Sequence, residues 1–366
     1  MNQDPHIDLR TEPEPGAPAV SGEPMDFSAP SDDPVPALPF GNPKRYPRLA
    51  LWGALMAGAA VVMYLVGVVS AAILGPFDID RTVSALLVWW SGAPLLVGFA
   101  LILADVWFLA PRRRRGHEVH DVPVPGPMTV VLTSYNDELS IGDAVADFLA
   151  HPLAKRVVVI DNNSRDRSAE VAREAGAIVH VETSPGYGQC VHRALREAAA
   201  YTDTHVVALC EGDMTFRARD LDKLAAYTAH AHVVNGTRIV EQLRSQGTQL
   251  TSFMFYGNFI GGKLLELKHL GRGTLTDVGT TYKACRSDFL RSHLDQFDPR
   301  VNLEFNAHFL DRVLASGATL VEVPITFYPR VGDSKGGNVS NRRATRVGYR
   351  MLLGIVLSWR LVAQKG

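Results

Sequence analysis

Cysteine is scarce in this chain: three residues, Cys190, Cys210 and Cys285, stand far apart and never as a CxxC pair. That pattern excludes a zinc knuckle and a disulfide framework, and it predicts buried, reduced thiols of a cytosolic compartment. Net charge is also missing, with 37 basic residues against 38 acidic ones, so no global field suits nucleic acid. Basic residues are nearly absent from residues 1–43, where Arg10 alone faces eight acids among ten prolines. Such a segment buries too little apolar surface to offset its chain entropy and is expected to be disordered. Two nucleotide-binding signatures are lacking as well. No G-x-G-x-x-G follows the first strand, and "SPGYGQC" has no GK[ST], which argues against a dinucleotide site and a nucleotide hydrolase.

What the chain does have is apolar length. Leu49 to Leu74 runs 26 residues without a charge, and Val83 to Ala104 runs 22 before Asp105 and "VWFLA". A helix of about 20 apolar residues crosses a bilayer core. Two spans are therefore expected, about 49–74 and 83–110, with Pro94 a candidate kink. The first run starts too far from Met1 for a cleaved signal peptide. Lys44, Arg45 and Arg48 precede the hairpin and Arg112 to Arg115 follow it, whereas the loop "GPFDIDR" is acidic on balance. Positive residues stay on the cytoplasmic side, so the tail and the long C-terminal part are expected in the cytoplasm.

Beyond the linker 116–126, strands and helices alternate: "MTVVLTS", "RVVVID", "AIVHVE" and "HVVALCE" read as strands. That order implies an α/β domain with a parallel sheet covered on both faces. Ligands bind outside the carboxyl ends of such strands. The polar clusters there, Thr133–Glu138, Asp161–Asp166 and Glu211–Asp213, converge on one candidate site. A lone ExD at a strand end is a weak signal; its place beside the other two clusters makes Glu211 and Asp213 a candidate metal pair.

Six segments in order resemble the family-2 glycosyltransferases of the GT-A fold, most of all their dolichyl-phosphate-mannose synthase branch. They are "TSYNDE", "VVVIDNNSRDRS", "CEGDM", "VVNGTR", "LTDVGTTYKACRSDFL" and "EVPITFYPRVGDSK", all between Thr133 and Lys335. Departures from the family pattern are Thr133 for proline, Asn162 for aspartate, Tyr187 for the lysine of a GKG turn, and Glu211 for the first aspartate of DxD. The resemblance implies a GT-A domain over 127–338 with a mostly parallel sheet, preceded by the membrane hairpin of 44–115. Residues 339–366, with Arg343, Arg346 and Arg350 at helical spacing, are read as an amphipathic helix at the membrane interface, with packing on the soluble domain as the rival.

The same resemblance implies Mg²⁺ or Mn²⁺ on Glu211 and Asp213, and a GDP- or UDP-linked sugar held by Thr133, Tyr135, Asn136, Asp137, Glu138, Asp161, Asn163, Gly188, Gly212 and Arg238. For Asp161, capping of its own turn is an alternative. Arg330 and Lys335, with Asp213, are the implied catalytic groups; Lys283, Arg330 and Ser334 the implied contacts to an acceptor phosphate. Asp277 and Glu304 match family acids of less defined duty. The implied reaction is inverting transfer of one sugar to a polyprenyl phosphate (dolichyl, undecaprenyl or decaprenyl) at the membrane. A glycerolipid or polysaccharide acceptor, a catalytically degenerate membrane scaffold, and a homo-oligomer remain open. The QxxRW of processive polymer synthases does not occur.

Overall fold

The structure, a computed structural model, describes residues 38, 47–75, 81–113, 126–332 and 341–363. The acidic tail (Leu38 apart), most of the linker, and the segment holding Ser334 and Lys335 lie outside the described residues.

Helix α1 (Leu49–Leu74) and a second helical run, Thr82–Arg113, are both long and apolar enough to cross a membrane. The second run comprises α2 (Thr82–Trp90), α3 (Gly92–Ala104), a π-turn over Asp105–Leu109, and α4 (Ala110–Arg113). It thus extends three residues past the boundary read from the sequence. Pro94 has no N–H to give the Trp90 carbonyl, and the interruption falls just ahead of it at Ser91, whose hydroxyl donates to Val88 O at 2.6 Å. The two runs approach closely where glycines face each other: a Cβ on Gly53 would lie 2.4 Å from Gly98 O. Outward-facing Val62, Leu65, Ile73, Trp89, Leu96, Trp107 and Phe108 leave the hairpin an apolar sheath.

The one acid of the second run is fully buried. Asp105 Oδ2 accepts the N–H of Ala50 at 2.7 Å, one of the orphan donors at the start of α1, and Oδ1 accepts Arg113 at 2.6 Å. The Arg113 guanidinium also donates to Leu270 O and Pro47 O. One ion pair therefore caps α1, fixes the π-turn and ties the hairpin to the α/β domain. Asp105→Asn keeps an oxygen for Ala50 but removes the charge opposite Arg113. It is expected to destabilise the chain by about 2 kcal/mol, read as a lower denaturation midpoint in detergent.

The α/β domain begins with β1 (Met128–Ser134), α5 (Ile141–Leu149), β2 (Ala154–Asp161), α6 (Ser168–Glu174) and β3 (Ile178–Val181). It continues with α7 (Tyr187–Ala199), β4 (Val206–Glu211), α8 (Leu221–Ala225), β5 (Val233–Thr237) and α9 (Ser252–Lys268). Then come β6 (Lys283–Arg286), α10 (Ser287–His293), α11 (Phe305–Ser316), β7 (Leu320–Pro324) and α12 (Asn341–Val356). The seven strands lie in the order β3-β2-β1-β4-β6-β5-β7. Only β6 runs antiparallel to its neighbours, so the sheet is mostly parallel, as the alternation predicts. Successive strand residues point to opposite faces. Val131, Val158, Ile160 and Leu209 pack under α7, α10 and α11, whereas Val130, Leu132, Val159 and Ala208 pack under α5 and α8. All three cysteines are buried and free.

Helix α12 lies on the domain, not apart from it. Its Met351 and Ile355 join the core with Trp359, and Arg350 Nε donates to Glu304 at 2.8 Å. Packing on the domain thus describes this face, while Tyr349 and, just beyond the helix, Leu357 and Leu361 stay exposed. Helix α9 packs between α12 and α1 and turns Phe253, Tyr256 and Ile260 outward.

Candidate functional site

Parallel register brings the polar strand ends to one edge. Ser134 of β1 pairs with Asp161 of β2, and Thr133 of β1 pairs with Glu211 of β4. A cavity of about 530 Å³ opens there. Of the residues read from the sequence, Thr133, Tyr135, Asp137, Asn163, Glu211, Asp213, Arg238, Arg330, Glu304 and Arg343 line it.

Asp213 ends the turn after β4, where Met214 takes a positive φ of 64°. Its Oδ1 accepts both the backbone N–H (3.0 Å) and the hydroxyl (2.6 Å) of Thr215, which aims Oδ2 at Arg330 Nη1, 3.0 Å away. Arg330 Nη2 donates to Asp137 Oδ1 at 2.6 Å. One guanidinium thus bridges two acids that are 76 residues apart in the chain. Glu211 receives the Thr281 hydroxyl at 2.7 Å. Burial, then the charge of Asp213, push the Glu211 carboxyl up, although Thr281, Arg330 and Arg238 pull the other way. Arg238 is itself neutralised: its Nε and Nη2 grip Asp277 at 2.7 and 2.8 Å. Burial opposes the charge of Asp277, and that guanidinium outweighs burial and holds it below the ordinary carboxylate range.

The charge balance tests whether a cation belongs here. Asp137 and Asp213 share the Arg330 guanidinium, while the carboxyl of Glu211, raised by burial and then by the charge of Asp213, is met by the neutral Thr281 hydroxyl. Among the described residues no cluster of three or more His, Cys, Asp or Glu stands at metal-binding separation. Mg²⁺ and Mn²⁺ need no such cage when substrate phosphates complete the shell of one or two carboxylates. The residues fit that mode of binding.

Other candidates sit elsewhere. Asn136 and Glu138 reach across to the turn after β2: Asn136 Oδ1 accepts the N–H of Arg165 at 2.7 Å, and Glu138 Oε2 that of Arg167 at 3.0 Å. Asp161 caps its own turn through the N–H and hydroxyl of Ser164 and does not line the cavity, which favours its alternative reading. Gly188 packs on the 299–301 backbone, where a Cβ would meet Val301 O at 1.8 Å. Gly212 links β1 to the turn by donating to Thr133 O and accepting from Ser140. Lys283 is fully buried on β6 and donates to Thr280 O and Asn306 Oδ1, so the structure does not bring it to the cleft surface. Arg165, from the second polar cluster, also lines the wall, as do residues not singled out from the sequence, among them Thr215, Asn258, Thr281, Asn302 and Asn306. Only Thr215 had a local signal, a threonine two residues after an acid at a strand end.

Residues 129–294 match the glycosyl transferase family 2. An uncharacterized glycosyltransferase of Mycobacterium tuberculosis is 32% identical over 206 residues, 56% of this chain and 87% of the relative. A dolichyl-phosphate hexose transferase of Haloferax volcanii is 28% identical over 209 residues, 57% of this chain and 86% of the relative. The glycosyltransferase AglJ of the same organism is 28% identical over 216 residues, 58% of this chain and 67% of the relative. With its acid-lined cleft at the edge of a GT-A-like sheet, this chain belongs to the family 2 glycosyltransferases.

Proposed function

We propose that this enzyme moves one sugar from a GDP- or UDP-linked donor to a polyprenyl phosphate at the cytoplasmic face of a membrane. The observation that carries this reading is a cavity of mixed lining. Asp137, Glu211, Asp213 and Arg330 line it together with Met254 of α9 and Val347 and Met351 of α12, beside Asn258 and Arg343. Charged groups suit a diphosphate, and apolar ones suit a lipid. Helix α9 lies against α1 with Phe253, Tyr256 and Ile260 outward, which supports a site at headgroup level. The name of the Haloferax dolichyl-phosphate relative supports the acceptor class. The basic flanks of the hairpin support the cytoplasmic side.

Glu211 and Asp213 would hold Mg²⁺ or Mn²⁺, which supplies charge to the departing diphosphate when bound. This chain's own residues do the rest. Thr215 keeps Asp213 aimed into the cleft, and Arg330 offers a planar fork for phosphate oxygens. The acceptor phosphate is already an anion, so no side chain must remove its proton. Its oxygen attacks the anomeric carbon as the bond to the diphosphate oxygen breaks, and the nucleoside diphosphate leaves with that electron pair. Direct displacement inverts the centre and gives a β-linked lipid from an α-linked donor.

The test is transfer by the full chain in detergent, with a panel of labelled nucleotide sugars and polyprenyl phosphate, with Mn²⁺ or with EDTA. A lipid product that mild acid cleaves, formed only with the metal, is expected. An alkali-labile glycerolipid product, or no transfer from any donor, overturns the proposal.

A further inference from the structure

A line of buried polar groups runs from Lys283 to Glu211, and its hydrogens can be assigned one after another. The Lys283 ammonium has donors only, so Asn306 must turn its Oδ1 toward it, 3.3 Å away. That fixes the amide, and Asn306 Nδ2 then donates to the Tyr187 hydroxyl at 3.0 Å and to Thr281 Oγ1 at 3.2 Å. The phenol has one hydrogen and gives it to Thr281 Oγ1. Thr281 in turn has one hydrogen, and it points at Glu211 Oε1, 2.7 Å away. Every link runs in the same direction, from a cation to a carboxylate, and such chains polarise each link. Asn302 clamps the phenol's own backbone: its Oδ1 accepts the Tyr187 N–H at 2.7 Å at the start of α7.

We propose that Tyr187 and Thr281 are positioning residues that fix the Glu211 carboxylate for a divalent cation, with Lys283 and Asn306 anchoring the far end of the relay. This rests on the reading of Glu211 as a cation ligand. It gives the buried Lys283 a task, and it accounts for tyrosine and the longer acid occurring together. A glutamate has one more rotatable bond than an aspartate, so an unpinned Glu211 spreads over several rotamers and loses its aim.

The test is Mn²⁺ binding to the full chain in detergent, followed by electron paramagnetic resonance with a nucleoside diphosphate present. Thr281→Val is expected to weaken binding about tenfold, the worth of a hydrogen bond to a charged group, and Tyr187→Phe, which removes a bond between neutral groups, about fivefold. Thr281→Ser, which keeps the hydroxyl, binds as the wild type does and controls for folding. In a Glu211→Gln background, Tyr187→Phe adds no further loss. A merely structural tyrosine would lower affinity by the same factor in both backgrounds, and that result overturns the proposal. Equal binding by wild type and Tyr187→Phe overturns the relay alone. A wild-type chain that binds no Mn²⁺ overturns the cation reading beneath it.

Discussion

Asp213→Asn is expected to slow sugar transfer about a thousandfold while the fold stays intact, the cost of removing a preorganised charge from a water-poor site. The substitution is nearly isosteric. Its remaining oxygen can still accept from Thr215 N and Oγ1, the two contacts that hold the side chain in place. What disappears is the charge on the atom that faces Arg330. Thermal unfolding within a degree or two of the wild type, together with the lost rate, separates chemistry from stability. Metal-dependent donor binding falls in parallel. Unchanged donor affinity in this variant places the cation on other residues.

Arg330→Gln has two effects of opposite sign. Transfer falls about a thousandfold, because a guanidinium on a departing diphosphate is worth that much or more. Binding of Mn²⁺ to the donor-free chain, by contrast, tightens about tenfold. Arg330 spans Asp137 and Asp213 in the structure, so a metal must compete with a resident positive charge. Its removal leaves two buried acids without their counterion, which lowers the unfolding temperature in EDTA. Added Mn²⁺ restores it by mass action. Kinetics, resonance titration and a melting curve read the three effects separately. Weaker metal binding in this variant contradicts the competition.

The contrast between the legible and the hidden parts of this molecule is one of range. The two long apolar helices were readable because 26 and then 22 residues run without a charge, and β1 to β4 because apolar runs alternate with helical spacing. Glu211 and Asp213 were readable because both lie on one strand end. Asp105 was visible only as the end of an apolar run. Its cap on Ala50, 55 residues away, follows from helix pairing that no local pattern encodes. Lys283 carried a family motif, yet β6 lies between β4 and β5, and that position buries the side chain away from the cleft. Thr281 and Asn306 matter through contacts 70 and 119 residues distant, with Glu211 and Tyr187 respectively, and neither residue type signals such a role. Asp161 offered two readings that spacing could not separate; Ser164, three residues on, occupies both of its oxygens.

The most direct measurement is anomalous diffraction at the manganese edge, from crystals grown with Mn²⁺ and a nucleoside diphosphate. A peak within coordination distance of Asp213 and of the diphosphate oxygens, with Glu211 alongside, is the predicted result. A peak on other residues, or a bound diphosphate with no metal beside those two acids, contradicts the account.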